Sequence, residues 1–305
     1  MKMKIAIGAD IGGSHITCQL FNLENHQFIG NSRIRKTVDS NSSAPVIIDS
    51  WTNAIREAAG NYRLCELAGI GFAMPGPFDY QHGIAWFKDV EKFNHLYGVN
   101  IRLEILKKFQ LQEEYPVRFL NDAACFAIGE SLQGEAAKYS RLLAVTLGTG
   151  FGTTFIENHK PVAGKYGIPA DGFLYRVAFR DSVADDYFST RWFLKEHKAL
   201  TGKEISGVKQ LADLAINDNS AAKIFHTFGS GLGKFLAPWL KGFDAGCLVV
   251  GGNISSAFPL FGKELQDEFS QAGMQLPVFI SSMPEDAAIS GSAFLCDNSF
   301  YQSLF

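Results

Sequence analysis

The sequence has few cysteines, and their spacing argues against two kinds of protein. There are five, an odd number, and no two of them form a Cys-x-x-Cys pair. A disulfide-stabilised secreted domain or a redox dithiol protein would need closely spaced pairs, so the sequence predicts reduced, buried thiols in a cytoplasmic protein. The cysteines are Cys18, Cys65, Cys125, Cys247 and Cys296.

Runs of positive charge and long apolar runs are also missing. The formal net charge is −3 and the basic residues form no cluster, which argues against nucleic acid as the main partner. No apolar stretch is long enough to span a membrane, and the apolar run within "MKMKIAIGAD" is too short for a signal peptide. We therefore expect a cytoplasmic globular protein that binds neither membrane nor nucleic acid.

The sequence contains the same local pattern twice. "IAIGADIGGSHITCQLFNLE" and "LLAVTLGTGFGTTFIENHK" each predict an apolar strand, a tight Gly-rich corner and a second apolar strand. Elsewhere, strands alternate with segments of helical spacing such as "SSAPVIIDSWTNAIREAAG". A hairpin at the start of each half, followed by this alternation, predicts a mixed sheet with helices on its faces.

Helical spacing and start signals predict several further helices. "VNIRLEILKKF" is expected to be a helix capped by Asn100, and Ser206 is expected to cap another. The latter part of the chain predicts helices over residues 184–199, 207–216, 219–241 and 285–298.

Asp10, in "GADIGGSH", stands at the carboxyl end of the first predicted strand. Burying a carboxylate there is costly unless a cation or a polar group meets it. The following Gly12 and Gly13 let the backbone turn and present N–H groups to a ligand. The pattern indicates a magnesium-phosphate site, with Asp10 binding Mg²⁺ directly or through water. The alternative is a hairpin in which Asp10 only caps the turn.

The second hairpin, "TLGTGFGTT", alternates glycine with threonine and phenylalanine. Glycine lets a ligand approach the backbone, and threonine offers hydroxyl donors to phosphate oxygens. The stretch lacks the lysine of a P-loop, and no helix follows it, so neither the P-loop nor the dinucleotide-binding fingerprint fits. Two Gly-rich hairpins, one with an aspartate, indicate two lobes that hold one polyphosphate.

Two further stretches place polar or bare backbone groups after a strand. In "FLNDAACFAIGE", Asp122 begins a helix, where it is expected to act as a general base toward an attacking hydroxyl, with Asn121 bonding a neighbouring hydroxyl. Asp is also simply common at helix starts. In "CLVVGGNISSAF", Gly251 and Gly252 leave a flat surface for an adenine or ribose, although a plain strand-to-helix turn has the same pattern.

The order of these motifs resembles the ROK family, sugar kinases and related repressors of the actin–hexokinase–heat-shock ATPase superfamily. The motifs are Asp-x-Gly-Gly-Ser, "GFAMPGPFD", "LNDAACFAIGE", "LGTGFG" and "VVGGNIS". The resemblance implies an α/β protein with the duplicated two-lobe actin-like ATPase (ribonuclease H-like) fold, in which mixed five-stranded sheets are flanked by helices. It implies an N-terminal lobe of residues 1–118, completed by a C-terminal helix at about 290–305, and a nucleotide-binding lobe of residues 119–289.

The resemblance also assigns cofactors and site residues. ATP and Mg²⁺ are implied, with the phosphates held between the two hairpins, a small-molecule sugar as substrate and a homodimer as one expected assembly. The positions matching the first phosphate motif are Asp10, Gly12, Gly13 and Ser14; those matching the second are Gly148, Thr149 and Gly150. Gly251 and Gly252 match the adenosine motif, and Asp122 matches the catalytic base. The sugar-contacting positions correspond to Gly76, Asn94, Asn121 and Asp185.

The sequence departs from the family pattern in the region of residues 160–183. The family's Glu-x-Gly-His motif aligns with Phe173 and Arg176, so an ordinary hexose would lose two hydroxyl partners. Glucose is then expected to be a poor substrate and a modified or acidic sugar a better one, unless Asp171 supplies the carboxylate and Arg176 faces solvent. No cysteine lies between Cys125 and Cys247, so the family's structural zinc is not expected.

Two functions follow from these observations. The first is an ATP- and Mg²⁺-dependent kinase that phosphorylates a hydroxyl of a hexose or hexose derivative. The second is a degenerate relative that binds a sugar or nucleotide as a sensor without turnover, which the lost Glu-x-Gly-His motif favours. The retained Asp10, Asp122 and both hairpins favour the enzyme. A repressor is not expected, because the first strand begins at about residue 4 and leaves no room before it for a DNA-binding helix-turn-helix.

Overall fold

The computed structural model describes residues 3–88 and 92–304. The chain divides into two units, one formed by the residues up to Gly134 together with those from Glu285 onward, and one formed by Glu135–Pro284. Among the helices of these described residues, none combines the length and apolar character that a membrane crossing requires.

The first unit is built on a mixed sheet. Its strands β1 (Ile5–Ile11) and β2 (His15–Asn22) form the predicted antiparallel hairpin. On the other side of β1 lie β5 (Gly69–Met74) and then β8 (Val117–Asn121), both parallel to it. The sheet has six strands rather than the expected five, because two short strands share the outer edge of β2. These are β3 (Gln27–Phe28) and β4 (Ile34–Thr37).

The remaining elements of the first unit are helices and one small hairpin. They are α1 (Ala44–Ala59), β6 (Phe78–Asp79), β7 (Ile84–Ala85), α2 (Ile101–Phe109), α3 (Asp122–Gln133), α9 (Pro284–Phe294) and α10 (Asn298–Gln302), with 3₁₀ turns at Leu64–Glu66 and Asn94–Leu96.

The second unit repeats the arrangement on a five-stranded sheet in the order β11-β10-β9-β14-β15. Here β9 (Arg141–Leu147) and β10 (Phe151–Glu157) form the hairpin, and β14 (Cys247–Gly251) lies parallel to β9. The other strands are β11 (Lys160–Val162), β12 (Ala178–Phe179), β13 (Ser182–Val183) and β15 (Val278–Ile280). The helices are α4 (Ala184–Tyr187), α5 (Thr190–Thr201), α6 (Val208–Ala215), α7 (Asn219–Phe243) and α8 (Gly262–Gln271), with 3₁₀ turns at Glu135–Lys138 and Asn253–Leu260.

The boundary between the units differs from the expected lobes of residues 1–118 and 119–289. The strand β8 pairs with β5, so it and the following α3 belong to the first unit, which continues to Gly134. Near the other end of the chain, the first unit resumes at Glu285, and α9 packs against its sheet.

Helix α9 approaches the first sheet so closely that only glycine fits beneath it. A Cβ added to Gly8 would lie 2.0 Å from the Ile289 carbonyl oxygen, and one added to Gly71 would lie 1.8 Å from that of Ser292. In addition, the Ala9 amide donates to the Ser292 hydroxyl at 3.2 Å. This contact fixes the N-terminus of α9, with Glu285 and Asp286, beside the first hairpin.

The helix predictions hold in type and differ at the ends. Asn100 caps α2 as predicted, since its side chain accepts a hydrogen bond from the Leu103 amide. The prediction for Ser206 is wrong: Gly207 occupies the N-cap of α6, and the Ser206 hydroxyl instead donates to the Gln210 side chain. The segment predicted as one helix over residues 184–199 is two helices, α4 and α5, separated at residues 188–189.

Candidate active site

Polar side chains from two strands of the first unit, and from the helix that follows one of them, meet at one edge of its sheet. The strands β1, β5 and β8 are parallel, so their carboxyl ends lie together. Asp10 is next to last in β1 and pairs with Ala73 of β5, while Asn121 ends β8 and pairs with Met74. Asp122 follows as the first residue of α3. The carboxyl edge of such a sheet is the usual place for ligands in α/β folds.

Asp10 carries an unusually basic carboxylate. Burial, followed by the nearby charges of Asp122 and Glu285, raises its pKa to about 7, although Arg35 and Arg33 act in the opposite direction. At neutral pH the carboxyl group is therefore close to half-protonated. Two half-buried carboxylates whose charges repel each other are short of positive charge, and such a pair suits a hard divalent cation with oxygen ligands.

Asp122 is held by its own helix start. Its Oδ1 accepts hydrogen bonds from the Ala123 amide and from the Asn121 side-chain amide, each at 2.9 Å. Burial raises the pKa of Asp122 even though these donors act to lower it. A carboxylate whose pKa is moved toward neutrality, in a fixed orientation, has the properties of a general base.

Asn121 serves both the backbone and the neighbouring loop. Its side-chain oxygen accepts from the Ala123 and Ala124 amides at 3.0 and 3.3 Å, so it is the N-cap of α3. Its side-chain nitrogen also donates to the Tyr80 hydroxyl at 3.4 Å, and that hydroxyl donates to the Met74 carbonyl at 3.2 Å. Tyr80 therefore ties the exposed Gly76 turn, which follows β5, to Asn121.

Asn94 stands on a separate loop of the same unit. It is exposed and begins a 3₁₀ turn immediately after the buried Phe93. The Phe93 ring packs against Trp51 of α1 with ring centroids 5.7 Å apart, and its amide donates to the Ser40 carbonyl at 3.1 Å. The loop is thus anchored from beneath, with Asn94 on its outer side.

The first glycine turn has a lysine against it that the sequence analysis missed. The Gly12 amide donates to the His15 carbonyl at 2.9 Å, which closes the turn below the exposed Ser14. A Cβ on Gly13 would lie only 2.2 Å from the Lys92 amine, so that amine rests on the bare backbone. A glycine turn with a cation against it suits a phosphate. The only sequence feature that pointed to this lysine was its position, two residues before Asn94, which was predicted to contact the sugar.

A charged network borders this turn. Glu285 accepts from Thr17 at 2.7 Å and from Arg35 at 2.8 Å, and it also pairs with Arg33. Burial alone would raise the pKa of Glu285, but the Thr17 hydrogen bond and the two arginine charges outweigh it and lower that pKa. Glu285 is therefore ionised, and it holds both arginines at the edge of the site.

In the second unit, the two predicted nucleotide motifs lie against each other. Gly251 ends β14 and pairs with Thr146 of β9. Gly252 follows with φ +84°, and a Cβ there would lie 2.4 Å from the Leu147 carbonyl oxygen. Only glycine fits both the backbone angle and the space. The Gly251–Gly252 turn consequently rests on the end of β9, just before the turn formed by Gly148, Thr149 and Gly150.

Asp185, expected at a sugar-contacting position, hydrogen-bonds to the second hairpin. One carboxylate oxygen accepts from the Phe151 amide at 2.7 Å, and the other accepts from Arg191 at 2.5 Å. Arg191 in turn donates to the Thr149 carbonyl at 3.0 Å. No motif in the sequence pointed to Arg191, which lies six residues after Asp185.

The region that departs from the family motif forms no hydroxyl-binding pair like Glu and His. Phe173 is half-buried, with its ring centroid 6.3 Å from that of Tyr175. Arg176 is exposed, and its guanidinium lies 5.0 Å from the Tyr175 ring centroid. Asp171, also exposed, accepts the Phe173 amide at 3.1 Å within its own turn.

A model of the ROK family matches residues 6–173, which is more than half of the 305 residues. This chain belongs to the ROK family. The family match ends at Phe173, the residue that the sequence analysis aligned with the Glu of the Glu-x-Gly-His motif. It includes Asp10, Asn121, Asp122 and the second hairpin, but not Asp185 or Gly251.

Similar proteins span the chain from end to end. An N-acetyl-D-glucosamine kinase of Haemophilus influenzae is 25% identical over 94% of this chain and 98% of its own length. A glucokinase of Thermotoga maritima is 26% identical over 96% of each. Among solved structures, a ROK family glucokinase from Streptomyces griseus in complex with glucose and AMPPNP has a TM-score of 0.73 at 21% identity, covering 95% of this chain and 98% of its own. The predicted duplicated actin-like ATPase fold is confirmed.

Proposed function

We propose that this chain is an ATP-dependent kinase that phosphorylates a hydroxyl group of a hexose or hexose derivative. The observation that carries the proposal is Asp122, a half-buried carboxylate of raised pKa, held at the start of α3 by the side chain of Asn121 and the amide of Ala123. The membership of the chain in the ROK family supports the same reaction, as does its similarity to proteins named N-acetyl-D-glucosamine kinase and glucokinase.

Asp122 acts as the general base in this proposal. The bonds from Ala123 and Asn121 engage its Oδ1, which leaves Oδ2 to accept the proton of a sugar hydroxyl. As that proton moves to Oδ2, the hydroxyl oxygen forms a bond to the γ-phosphorus, and the bond from that phosphorus to the β–γ bridging oxygen breaks to release ADP. Asn121 and the Gly76 turn tied to it through Tyr80 position the sugar.

Glycine turns bind the phosphates and adenosine. In the first unit, the turn at Gly12, Gly13 and Ser14 carries bare backbone and the Lys92 amine. In the second, the turn at residues 148–150 offers backbone amides to phosphate oxygens, and the flat Gly251–Gly252 surface receives adenosine. Asp10 would hold Mg²⁺, directly or through water. When bound, Mg²⁺ supplies neutralisation of the phosphate charge.

The sugar pocket is proposed to favour a modified hexose over glucose. Phe173 and Arg176 replace groups that would bond sugar hydroxyls, and each unmatched buried hydroxyl costs about 1–3 kcal/mol. The forked guanidinium of Arg176 suits an acidic substituent, whereas its exposure agrees with the alternative in which Arg176 faces solvent and glucose is accepted.

A coupled ADP-release assay over a sugar panel tests the proposal. The panel contains glucose, N-acetyl-D-glucosamine, N-acetyl-D-mannosamine and a uronic acid, each with ATP and Mg²⁺. We expect turnover on at least one N-acetylated or acidic sugar, with kcat/KM above that for glucose. Efficient glucose turnover would refute the proposed preference for a modified hexose but would agree with the kinase assignment. No ADP release above the sugar-free rate on an extended hexose panel would refute the kinase, and AMPPNP or sugar binding without turnover would then favour the sensor.

A further inference from the structure

The turn at residues 148–150 is held from one side by a small network. The Gly148 carbonyl accepts from both the amide and the hydroxyl of Thr190, at 2.8 and 3.0 Å. The Thr149 carbonyl accepts from Arg191, and the Phe151 amide donates to Asp185. Three backbone groups around the turn are therefore bonded to Asp185, Thr190 and Arg191.

These bonds decide which way the peptide groups of the turn face. Two carbonyl oxygens are drawn to the α4–α5 segment, and a carbonyl points away from the amide of the next residue in a trans peptide. The amides of Thr149 and Gly150 are thereby directed to the opposite side. Within the described part of the chain, neither amide has a hydrogen-bond acceptor.

We propose that Asp185 and Arg191 are a positioning pair for the second phosphate turn, which they hold with the Thr149 and Gly150 amides presented to a nucleotide phosphate. This inference rests on the proposed kinase function. It gives Asp185 a different task from the sugar contact that the family resemblance implies.

The geometry supports this task over a sugar contact. Asp185 already uses both carboxylate oxygens, one on Phe151 and one on Arg191, and its Oδ1 would lie 3.1 Å from a Cβ added to Gly150. A carboxylate oxygen can accept a second hydrogen bond, but these two bonds fix the orientation of Asp185 toward the turn. Arg191, whose side chain is 53% exposed, spends one N–H on Thr149 and one on Asp185, so its other donors remain at the turn.

Direct nucleotide binding, measured by calorimetry with AMPPNP and Mg²⁺, tests the pair without requiring turnover. We expect Asp185→Ala and Arg191→Ala each to raise the Kd for AMPPNP by about tenfold, as expected when a charge-assisted hydrogen bond is lost. The double variant is expected to be little weaker than either single variant, because both act on the same turn. The KM for the sugar is expected to change less than about twofold.

Lys198→Ala is the matched control, because it removes an exposed ion pair with Glu204 from the same helix without touching the turn. Arg191→Lys keeps the positive charge but loses the forked guanidinium. Because the Arg191 side chain is largely solvent-facing, we expect this variant to fold, so that a loss of AMPPNP affinity in it is not a folding defect. Unchanged AMPPNP affinity in folded variants, or a raised sugar KM with unchanged AMPPNP affinity, would overturn the positioning role. Failure of the wild-type protein to bind AMPPNP at all would overturn the proposed function and this inference together.

Discussion

Asp10 and Asp122 both sit where burial disfavours their charged forms, but they are held differently. Asp122 has fixed donors on one oxygen, while Asp10 is surrounded by charges of both signs from Asp122, Glu285, Arg33 and Arg35. The first arrangement suits a group that accepts a proton, and the second suits a group that meets a cation. The two carboxylates should therefore respond differently to substitution by asparagine.

Asp122→Asn is expected to remove most turnover and leave nucleotide binding intact. The asparagine side-chain oxygen can still accept the Ala123 amide, so α3 keeps its start, but the base is gone. A positioned general base contributes on the order of 10²–10⁴-fold, which is the loss of kcat we expect. The measurement is kcat on the best sugar of the panel together with AMPPNP affinity. Asp49→Asn, in an exposed pair with Lys108, is the control. A near-normal kcat in the Asp122 variant would rule out the base assignment.

Asp10→Asn is expected to stabilise the folded protein relative to the wild type, by an amount that grows as pH rises toward 7. The pKa of Asp10 is about 7 in the folded protein, above its ordinary value of 3.8, so the folded state holds a proton that the unfolded state has released between those values. Wild-type stability therefore falls from about pH 4 to pH 7, and the asparagine variant lacks this contribution.

Thermal unfolding of both proteins without Mg²⁺ at pH 5, 6, 7 and 8 measures this difference. We expect the variant's advantage in Tm to grow from pH 5 to pH 7 and to level off above it. A constant difference across the series would show that Asp10 has an ordinary pKa.

The sequence could identify these residues because each stands at the end of an apolar strand. Asp10 is next to last in β1 and Asp122 directly follows β8, and parallel strands bring their carboxyl ends together. The sequence did not single out Lys92 or Arg191, since a lone lysine or arginine belongs to no motif of its own. Their importance depends on where distant chain segments return, Lys92 to Gly13 and Arg191 to Thr149. Asp185 was found from the family pattern, but its bond partners were not.

At the scale of elements, local sequence patterns predicted whether a segment is a helix or a strand better than they predicted where that segment begins and ends. The two hairpins and the long helix α7 follow from alternating apolar residues and helical spacing. Ser206 has the residue type of a cap, but the backbone turns one residue later, at Gly207. The break between α4 and α5 was missed because the apolar spacing continues through Phe188, which is buried on the same side.

The contact between α9 and the first sheet provides a test of packing. Gly71→Ala would place a methyl group 1.8 Å from the Ser292 carbonyl oxygen, so the helix must move away. Overpacking of this kind typically costs about 1–3 kcal/mol. Gly30→Ala is the matched control, since a Cβ there meets nothing within 4 Å. Urea unfolding should show a lower midpoint for the Gly71 variant and little change for the Gly30 variant. Equal midpoints in the two variants would show that the contact is loose.

At the scale of the whole molecule, the absence of the family's cysteine-rich motif predicts a protein without stoichiometric zinc. A structural zinc site needs about four Cys or His ligands close together. Residues 159–200 contain only His159 and His197 as candidates, and His197 is buried with its ring nitrogen 3.0 Å from the Lys203 carbonyl oxygen. Elemental analysis of the purified, undialysed protein should find well under one zinc per chain. One equivalent that survives a weak chelator would contradict the prediction.

The division of the chain into units was the part least accessible from sequence. The predicted boundary, between residues 118 and 119, falls inside β8 (Val117–Asn121). Whether a strand joins the sheet before it or the one after it depends on pairing, and β8 pairs backward with β5. The return of α9 to the first unit was expected in outline, at about residue 290, and the observed unit resumes at Glu285.

That return sets an order of events during synthesis. Residues 135–284 are one uninterrupted stretch, so the second unit can complete its sheet soon after it leaves the ribosome. The first unit, although most of it emerges earlier, keeps Gly8 and Gly71 uncovered until the residues around Ile289 and Ser292 arrive. The part of the protein made first is therefore finished last, and a nascent chain stalled before residue 284 would expose an apolar sheet face to chaperones.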